Sequence, residues 1–250
     1  MRGFSLKKAG MLRAAGKDII MKKFSKLMFL LVMVTVLTGC SLFGSSKSEG
    51  AVVTTGATKV ENTGKKPIVI YFAYSENIGD TSNMSVDAVT SASLHESTKN
   101  TEGNMQVLAQ EIAKRTGADV FHIVVKEPYN PKFEIMRDRV VKELDTKATV
   151  PLKEKAPDLS QYSTVYFGTP VWHYTMPPAV STFLKETDLS GKTVVPFGIN
   201  RGSRLDAVLN PLKELQPKIK LADGFTVEAR TANEETRKQV NAFLDKLLGK

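Results

Sequence analysis

The chain is almost without cysteine and tryptophan, with one of each among its 250 residues. The single cysteine, Cys40, has no partner within the chain, and this excludes an internal disulfide. The three histidines, His95, His122 and His173, lie far apart in sequence, and none has a second ligand at the short spacing typical of metal sites. The sequence therefore predicts neither a disulfide framework nor a metal site.

The main part of the chain also lacks an excess of one charge. The formal net charge is +9, but residues 1–39 hold eight of the 35 basic residues and one of the 26 acidic residues. The remainder of the chain therefore carries a formal charge of only +2. Because binding to nucleic acid requires a basic surface, this balance argues against a nucleic-acid partner.

No apolar run is long enough for a comfortable membrane span. The run at residues 27–34 follows the basic pair Lys22 and Lys23, an arrangement typical of a secretory signal peptide. It leads to Leu-Thr-Gly at 37–39 before Cys40, and this sequence resembles the lipobox of bacterial lipoproteins. The resemblance implies cleavage before Cys40, lipid on that cysteine, and an extracytoplasmic protein anchored to the cell membrane. Residues 1–39 are thus predicted to be a signal peptide, of which 1–20 look like an upstream extension.

Composition divides the remaining chain into a tether and one domain. Residues 40–66 are rich in Ser, Gly, Thr and Lys without a hydrophobic period, which predicts a lipidated, flexible tether. Residues 67–250 show no internal repeat and no second hydrophobic core, so we expect a single domain there. Within this domain, residues 76–100 form a long polar insert, and loops of this length in compact domains are either functional or disordered.

Apolar runs alternate with amphipathic segments along this domain. Short β-branched and aromatic runs predict five strands, and apolar stripes at helical spacing predict five helices. The strands are expected at residues 67–73, 119–125, 164–167, 193–197 and 225–227. The predicted fold class is α/β, a doubly wound five-stranded parallel sheet with helices on both faces.

Three loops that leave the carboxyl ends of predicted strands have unusual compositions. The first ends at Gly103, where a helix start offers N–H groups and a favourable dipole to an anion. The second holds Trp172, and the third, residues 198–203, contains glycines that let backbone approach a ligand. Because such loops converge in a doubly wound sheet, they predict a site for flavin mononucleotide (FMN). Trp172 and Tyr174 are equally consistent with ordinary, partly buried aromatic residues.

The stretches 68–75, 103–104, 165–172 and 194–202 together resemble the flavodoxin family, and the resemblance covers residues 67–250. It implies a flavodoxin-like fold, noncovalent FMN, and electron transfer with a redox protein or a quinone as partner. The positions that match the family's site fall into three groups. Ser75, Gly103 and Asn104 would hold the phosphate, Thr169, Pro170, Trp172 and Tyr174 would lie against the ring, and Gly198, Asn200 and Gly202 would meet its pyrimidine edge. His173, in the same loop as Trp172, would either donate to the ring or be solvated.

The phosphate loop departs from the family's pattern. Glu102 stands where a threonine is expected, and Met105 replaces the closing threonine. A carboxylate at this position would satisfy the helix dipole itself and repel a phosphate. The insert also contains a run at 86–93 that resembles the attachment motif for covalent FMN, with Ser93 at the acceptor position. A chance match in a Ser/Thr/Ala-rich loop is the simpler interpretation of that run.

Three functions therefore remain open at the level of sequence. The first is a membrane-anchored FMN-binding protein that transfers electrons. The second is a lipoprotein that kept the flavodoxin fold as a binding module and lost the cofactor, which Glu102 and Met105 would favour. The third is an FMN-dependent quinone reductase, which requires an open flavin face for a second substrate. Binding of FMN separates the second function from the other two.

Overall fold

The computed structural model describes residues 51–53, 60, 63–79, 103–200, 205–228 and 234–249. The predictions for the signal peptide, for Cys40 and for Ser93, Glu102 and Gly202 lie outside the described residues. Among the described residues, no helix is both long and apolar enough to cross a membrane. No cluster of three or more residues suited to binding a metal ion occurs in this described part of the chain either.

One twisted sheet forms the centre of the domain. Its strand order is β1-β7-β5-β4-β2-β3, and the five longer strands, from β7 to β3, are parallel to one another. Numbered among themselves, these five follow the order 2-1-3-4-5 across the sheet, so the predicted doubly wound fold is confirmed. The strands are β1 (Ala51–Val53), β2 (Ile68–Tyr71), β3 (Asp119–His122), β4 (Thr164–Pro170), β5 (Thr193–Asn200), β6 (Lys220–Leu221) and β7 (Gly224–Glu228).

In the described part of the chain, five α-helices cover both faces of the sheet, because alternate residues of each central strand point to opposite sides. They are α1 (Asn104–Thr116), α2 (Phe133–Asp145), α3 (Pro178–Glu186), α4 (Asp206–Leu215) and α5 (Glu234–Leu248). Helices α1 and α5 pack on one face, in a buried cluster with Val69, Tyr166 and Val195. Helices α2, α3 and α4 pack on the other, in a cluster with Ile70 and Val165. Because the central strands are buried on both faces, they are apolar at every position, and this continuous apolar pattern is what predicted them from the sequence.

Two strands extend beyond their predicted ends. Strand β4 continues to Pro170, which lies opposite Ile199, and β5 continues to Asn200, which lies opposite Glu228. The prediction that Gly198 and Asn200 belong to the loop after β5 is therefore wrong, because Gly198 pairs with both β4 and β7 and Asn200 pairs with β7. A Cβ added at Gly198 would lie 3.0 Å from the Thr169 carbonyl oxygen, so this glycine permits close approach of strand to strand.

The tether predicted at 40–66 is partly wrong. Strand β1 lies inside it and pairs antiparallel with β7, with Ala51 opposite Thr226. Lys66, at the end of the same stretch, forms an ion pair with Asp119. A short strand can form at a sheet edge from residues with little hydrophobic pattern, because the partner strand supplies its hydrogen bonds.

Candidate functional site

The predicted site residues gather at the carboxyl edge of the sheet, where β2, β4 and β5 end. The segment after β2 continues beside β4, since the Phe72 N–H donates to the Gly168 carbonyl over 3.0 Å. The segment after β4 continues beside β5, since the Val171 N–H donates to the Ile199 carbonyl over 2.9 Å. These bonds extend the pairing past the strand ends, so the loops after β2 and β4 begin next to each other, as expected at the switch point of a doubly wound sheet.

The loop after β2 packs closely against the segment that follows β3. Residues Tyr74–Glu76 form one turn of 3-10 helix, and Asn77 follows it with a side chain that is only 1% exposed. The Asn77 amide donates to the Ala73 carbonyl (2.8 Å) and the Ile123 carbonyl (3.0 Å), and its oxygen accepts from the Val125 N–H (2.8 Å). The insert predicted as irregular from residue 76 therefore starts with ordered chain, held by one buried amide.

The amino end of α1 lies against the loop after β2. Gly103 is the N-cap residue, and its N–H donates to the side-chain oxygen of Gln106 over 3.4 Å. The Ser75 hydroxyl donates to the same oxygen over 3.5 Å, so Gln106 joins two of the predicted phosphate residues. Asn104, the third, is buried at the first helical position. Met105, the residue that departs from the family's pattern, packs in the core instead of facing the loop.

The loop after β4 makes an unusual turn. Trp172 and Thr175 exchange two backbone hydrogen bonds, of 2.8 and 3.0 Å, around His173 and Tyr174. Both central residues have positive φ, +47° and +63°, which is the geometry of a type I′ turn usually built from glycine or asparagine. The turn exposes 83% of Tyr174, and His173 is also exposed. Strained backbone of this kind persists only where surrounding structure holds it, and it concentrates at functional sites.

Trp172 itself is half-buried and belongs to an aromatic cluster. Its ring meets those of Phe72, Tyr74 and Tyr129 in T-shaped contacts, with centroid distances of 5.3, 5.8 and 5.3 Å. Edge-to-face contacts of this type each stabilise by about 0.5–1.5 kcal/mol beyond area burial. Trp172 is therefore a core residue as well as a candidate ring contact, so the two interpretations left open by the sequence are compatible.

The remaining predicted ring contacts sit in the ends of β4 and β5. The Thr169 side chain is fully buried and its hydroxyl donates to the carbonyl of Pro170 over 3.0 Å. Asn200, the last residue of β5, is also buried. The described residues thus place Ser75, Gly103 and Asn104 around the start of α1, and Thr169 to Tyr174 along the loop after β4.

A second polar cluster lies at the ends of β2 and β3. Glu76 Oε1 lies 2.7 Å from His122 Nδ1 and accepts a hydrogen bond from the Tyr71 hydroxyl over 2.9 Å. Its other oxygen, Oε2, is buried without a hydrogen-bond partner among the described residues. Burial raises the pKa of Glu76 above its ordinary value of 4.5, while the charge of His122 and the hydrogen bonds from Tyr71 and His122 act in the opposite direction.

The raised pKa of Glu76 makes the stability of the domain depend on pH. The folded state holds the proton of the Glu76 carboxyl more tightly than the unfolded state does. The stability that this proton contributes is therefore fully present below pH 4.5 and is lost as pH rises through the raised pKa of Glu76. Urea unfolding of the wild type and of Glu76→Gln between pH 4 and 8 checks this. We expect the wild type to lose stability relative to the variant as pH rises, whereas a constant difference would contradict the assignment.

Several residues that hold the loops at the carboxyl edge of the sheet in place were not predicted from the sequence. Gln106 had a local signal, because a glutamine at the third helical position commonly reaches back to the N-cap N–H. Asn77, Tyr129 and the pair Glu76–His122 had none, since their partners lie far away in sequence. His122, for which the sequence predicted no metal ligand nearby, has 44% of its side chain exposed and is paired to Glu76.

The fold and this edge define a doubly wound α/β protein with a helix amino end and an aromatic loop at its switch point. The flavodoxin family model matches residues 93–243, more than half of the chain. The chain therefore belongs to the flavodoxin family, as the sequence motifs predicted.

Two solved structures share this fold. A candidate flavoprotein from Bacteroides eggerthii is similar with a TM-score of 0.54 and 24% identity, over 74% of this chain and 99% of its own. A candidate flavoprotein from Bacteroides uniformis gives 0.53 and 22%, over 72% and 98%. A flavoprotein in complex with FMN from Lactobacillus acidophilus gives 0.46 and 13%, over 67% and 95%. A comparison with curated proteins gives no match.

Proposed function

We propose that this protein binds FMN noncovalently at the carboxyl edge of the sheet and transfers electrons to and from a redox protein or quinone. We further propose that Cys40 carries lipid and anchors the protein to the outer face of the cell membrane, as the lipobox-like sequence suggests. The observation that carries the proposal is the convergence of Ser75, the start of α1 and the Trp172 loop at one switch point in a member of the flavodoxin family.

The start of α1 suits a phosphate. The first N–H groups of a helix have no partner within the helix, and the helix dipole favours negative charge there. The first turn of α1 contains no acidic residue, and its N-cap glycine adds no side chain. The contacts that Gln106 makes with Gly103 and Ser75 are 3.4 and 3.5 Å long, at the weak end of hydrogen bonding. A phosphate oxygen would replace that side chain at the same donors.

The Trp172 loop suits a flat ring. Trp172 is fixed by three aromatic neighbours, so a ligand stacked on it would bind to a wall that is already ordered. His173 and Tyr174 stand exposed on the turn beside it, where they would limit access to the ring. When bound, FMN supplies one- and two-electron redox chemistry, and the protein tunes it through stacking, hydrogen bonds and nearby charge.

The first test is a titration of purified protein with FMN, followed by quenching of flavin fluorescence. We expect stoichiometric quenching, and a loss of affinity of about tenfold in Trp172→Phe, the size of one aromatic contact. Phenylalanine is preferred to alanine because it keeps contacts with Phe72 and Tyr129. Tyr162→Phe is the matched control, since Tyr162 bonds to Asp119 at the opposite, amino edge of the sheet and should leave binding unchanged.

Gln106→Ala adds a second arm to this experiment. If the glutamine occupies donors that the phosphate takes, its removal should leave FMN affinity equal or higher.

For the anchor, a Cys40→Ser variant should move from the membrane fraction to the soluble fraction of cells. Absence of quenching at micromolar protein would overturn the flavin proposal, and unchanged membrane association would overturn the anchor.

One observation supports a second candidate, a binding module without cofactor. Gln106 already satisfies Gly103 and Ser75, and Trp172 already packs against its own chain. A chain that had lost FMN would be expected to fill the site in this way. The wild-type titration separates the two candidates, because only the first predicts that FMN binds while Gln106 is in place.

A further inference from the structure

The only tryptophan of the chain is in contact with a fully buried tyrosine. The Trp172 and Tyr129 rings lie 5.3 Å apart between centroids and cross at 88°. Trp172 is half-buried at the candidate site, whereas Tyr129 is fully buried in the segment between β3 and α2. Two oxidisable side chains in van der Waals contact can exchange an electron directly, so their surroundings decide whether such a transfer leads anywhere.

The surroundings of Tyr129 suit the loss of an electron together with a proton. Its hydroxyl donates to Oε2 of Glu143 over 3.1 Å, and the other oxygen of Glu143 is held by Arg139 at 2.7 Å. The Arg139 guanidinium also lies 4.2 Å from the centroid of the tyrosine ring. A cation at that position disfavours positive charge on the ring, so loss of the electron is favoured when the proton moves to Glu143 in the same step.

Tyr74 offers a comparison within the same cluster. Its ring also touches Trp172, with a centroid distance of 5.8 Å. Its hydroxyl, however, donates to the backbone carbonyl of Asn130 over 3.1 Å. A carbonyl oxygen is a far weaker base than a carboxylate and cannot hold the proton that an oxidised phenol releases. Among the described contacts, the Tyr129 hydroxyl thus donates to a carboxylate, whereas the Tyr74 hydroxyl donates to a carbonyl.

We propose that Trp172, Tyr129 and Glu143 form a radical relay that moves an oxidising equivalent from the candidate site to helix α2. A one-electron oxidant at the site, inorganic or flavin-derived, takes an electron from the Trp172 indole and is itself reduced. Tyr129 then returns an electron to the indole, and its hydroxyl proton passes to Oε2 of Glu143. The products are neutral Trp172, a neutral Tyr129 radical and protonated Glu143. If the oxidised indole has first released its N–H proton to water, it recovers one from water when the electron arrives.

The relay would protect the site, because a radical left on Trp172 would damage the residue that we assign to ring binding. Burial raises the pKa of Tyr129, helped by the charge of Glu143, so the phenol stays protonated at neutral pH and keeps the proton that the step requires. The inference rests on the proposed function only for a natural source of oxidant. The transfer itself can be measured on protein without FMN.

Pulse radiolysis in azide solution provides the test. Azide radicals oxidise tryptophan by one electron, and Trp172 is the only such target. We expect the tryptophan radical absorbance to decay while tyrosyl absorbance grows at the same rate, independent of protein concentration. Tyr129→Phe should abolish this coupled growth. Glu143→Gln should slow it about tenfold, equivalent to about 1.4 kcal/mol on the barrier.

Two further variants keep the result unambiguous. Tyr74→Phe removes the other tyrosine beside Trp172, and Tyr174→Phe removes the exposed tyrosine two residues away. Both should retain the coupled growth at the wild-type rate. Loss of the growth in either of these variants, or its persistence in Tyr129→Phe, would overturn the relay. Glu143→Gln reacting at the wild-type rate would overturn the assignment of Glu143 as the proton acceptor.

Discussion

Replacing Asn77 by alanine is expected to lower the free energy of unfolding by about 3–5 kcal/mol, since each buried partner left without a hydrogen bond costs about 1–3 kcal/mol. The variant loses one bond within the loop after β2 and two bonds that tie this loop to the segment that follows β3. Ala73, Ile123 and Val125 are buried, so water does not readily replace the missing amide.

Urea denaturation at neutral pH measures this effect, and FMN titration of the folded variant measures its consequence for the site. Asn130→Ala is the matched control, because its side-chain oxygen accepts one exposed bond from the Lys132 N–H and its loss should cost less than about 1 kcal/mol. Since the loop held by Asn77 includes Ser75, we also expect weaker binding of the phosphate. Equal stability of the two asparagine variants would contradict this account of the loop.

Gly168→Ala is expected to destabilise the domain by about 3 kcal/mol, at the upper end of the usual cost of overpacking a core. A Cβ at this position would lie 2.3 Å from the ring of Phe197, the residue directly opposite on β5. The ring cannot move aside easily, because it is fully buried and stacks on Phe225. The strand end that carries Thr169 and Pro170 would therefore be displaced.

A double-mutant cycle isolates the clash at Gly168. Phe197→Leu alone should destabilise by removing aromatic packing, but combined with Gly168→Ala it should recover part of the loss, giving a favourable coupling energy. Gly79→Ala is the control, since a Cβ there would come no closer than 3.8 Å to the Tyr129 carbonyl oxygen. Additive effects of the two core substitutions would show that the ring is not the obstacle.

The sequence predicted the sheet and its helices because their signals are local. A strand such as β2 is apolar at every position when both faces are buried, and helices such as α1 have a stripe at a period of 3.6 residues. The Trp172 loop and the start of α1 were found for the same reason, since strand ends and helix starts mark the edge at which ligands bind in this class of fold.

The interior arrangement of the site could not be predicted, because it depends on contacts between distant residues. Nothing near Asn77 in sequence indicates that it bonds beyond β3, and nothing near Trp172 indicates a contact with Tyr129. The type I′ turn was missed for the opposite reason, because His173 and Tyr174 lack the glycine or asparagine that normally marks positive φ. In both cases tertiary packing decides over local preference.

The direction of β1 has a consequence for how the domain is held. Strand β7 runs parallel to the central strands, and β1 runs against it, with Ala51 opposite Thr226 and Val53 opposite Gly224. Ala51 therefore lies toward the carboxyl edge of the sheet, and Val53 lies toward the amino edge. In the lipid anchor that we propose, residues inserted after Val53 would therefore leave the length of chain between Cys40 and the sheet unchanged.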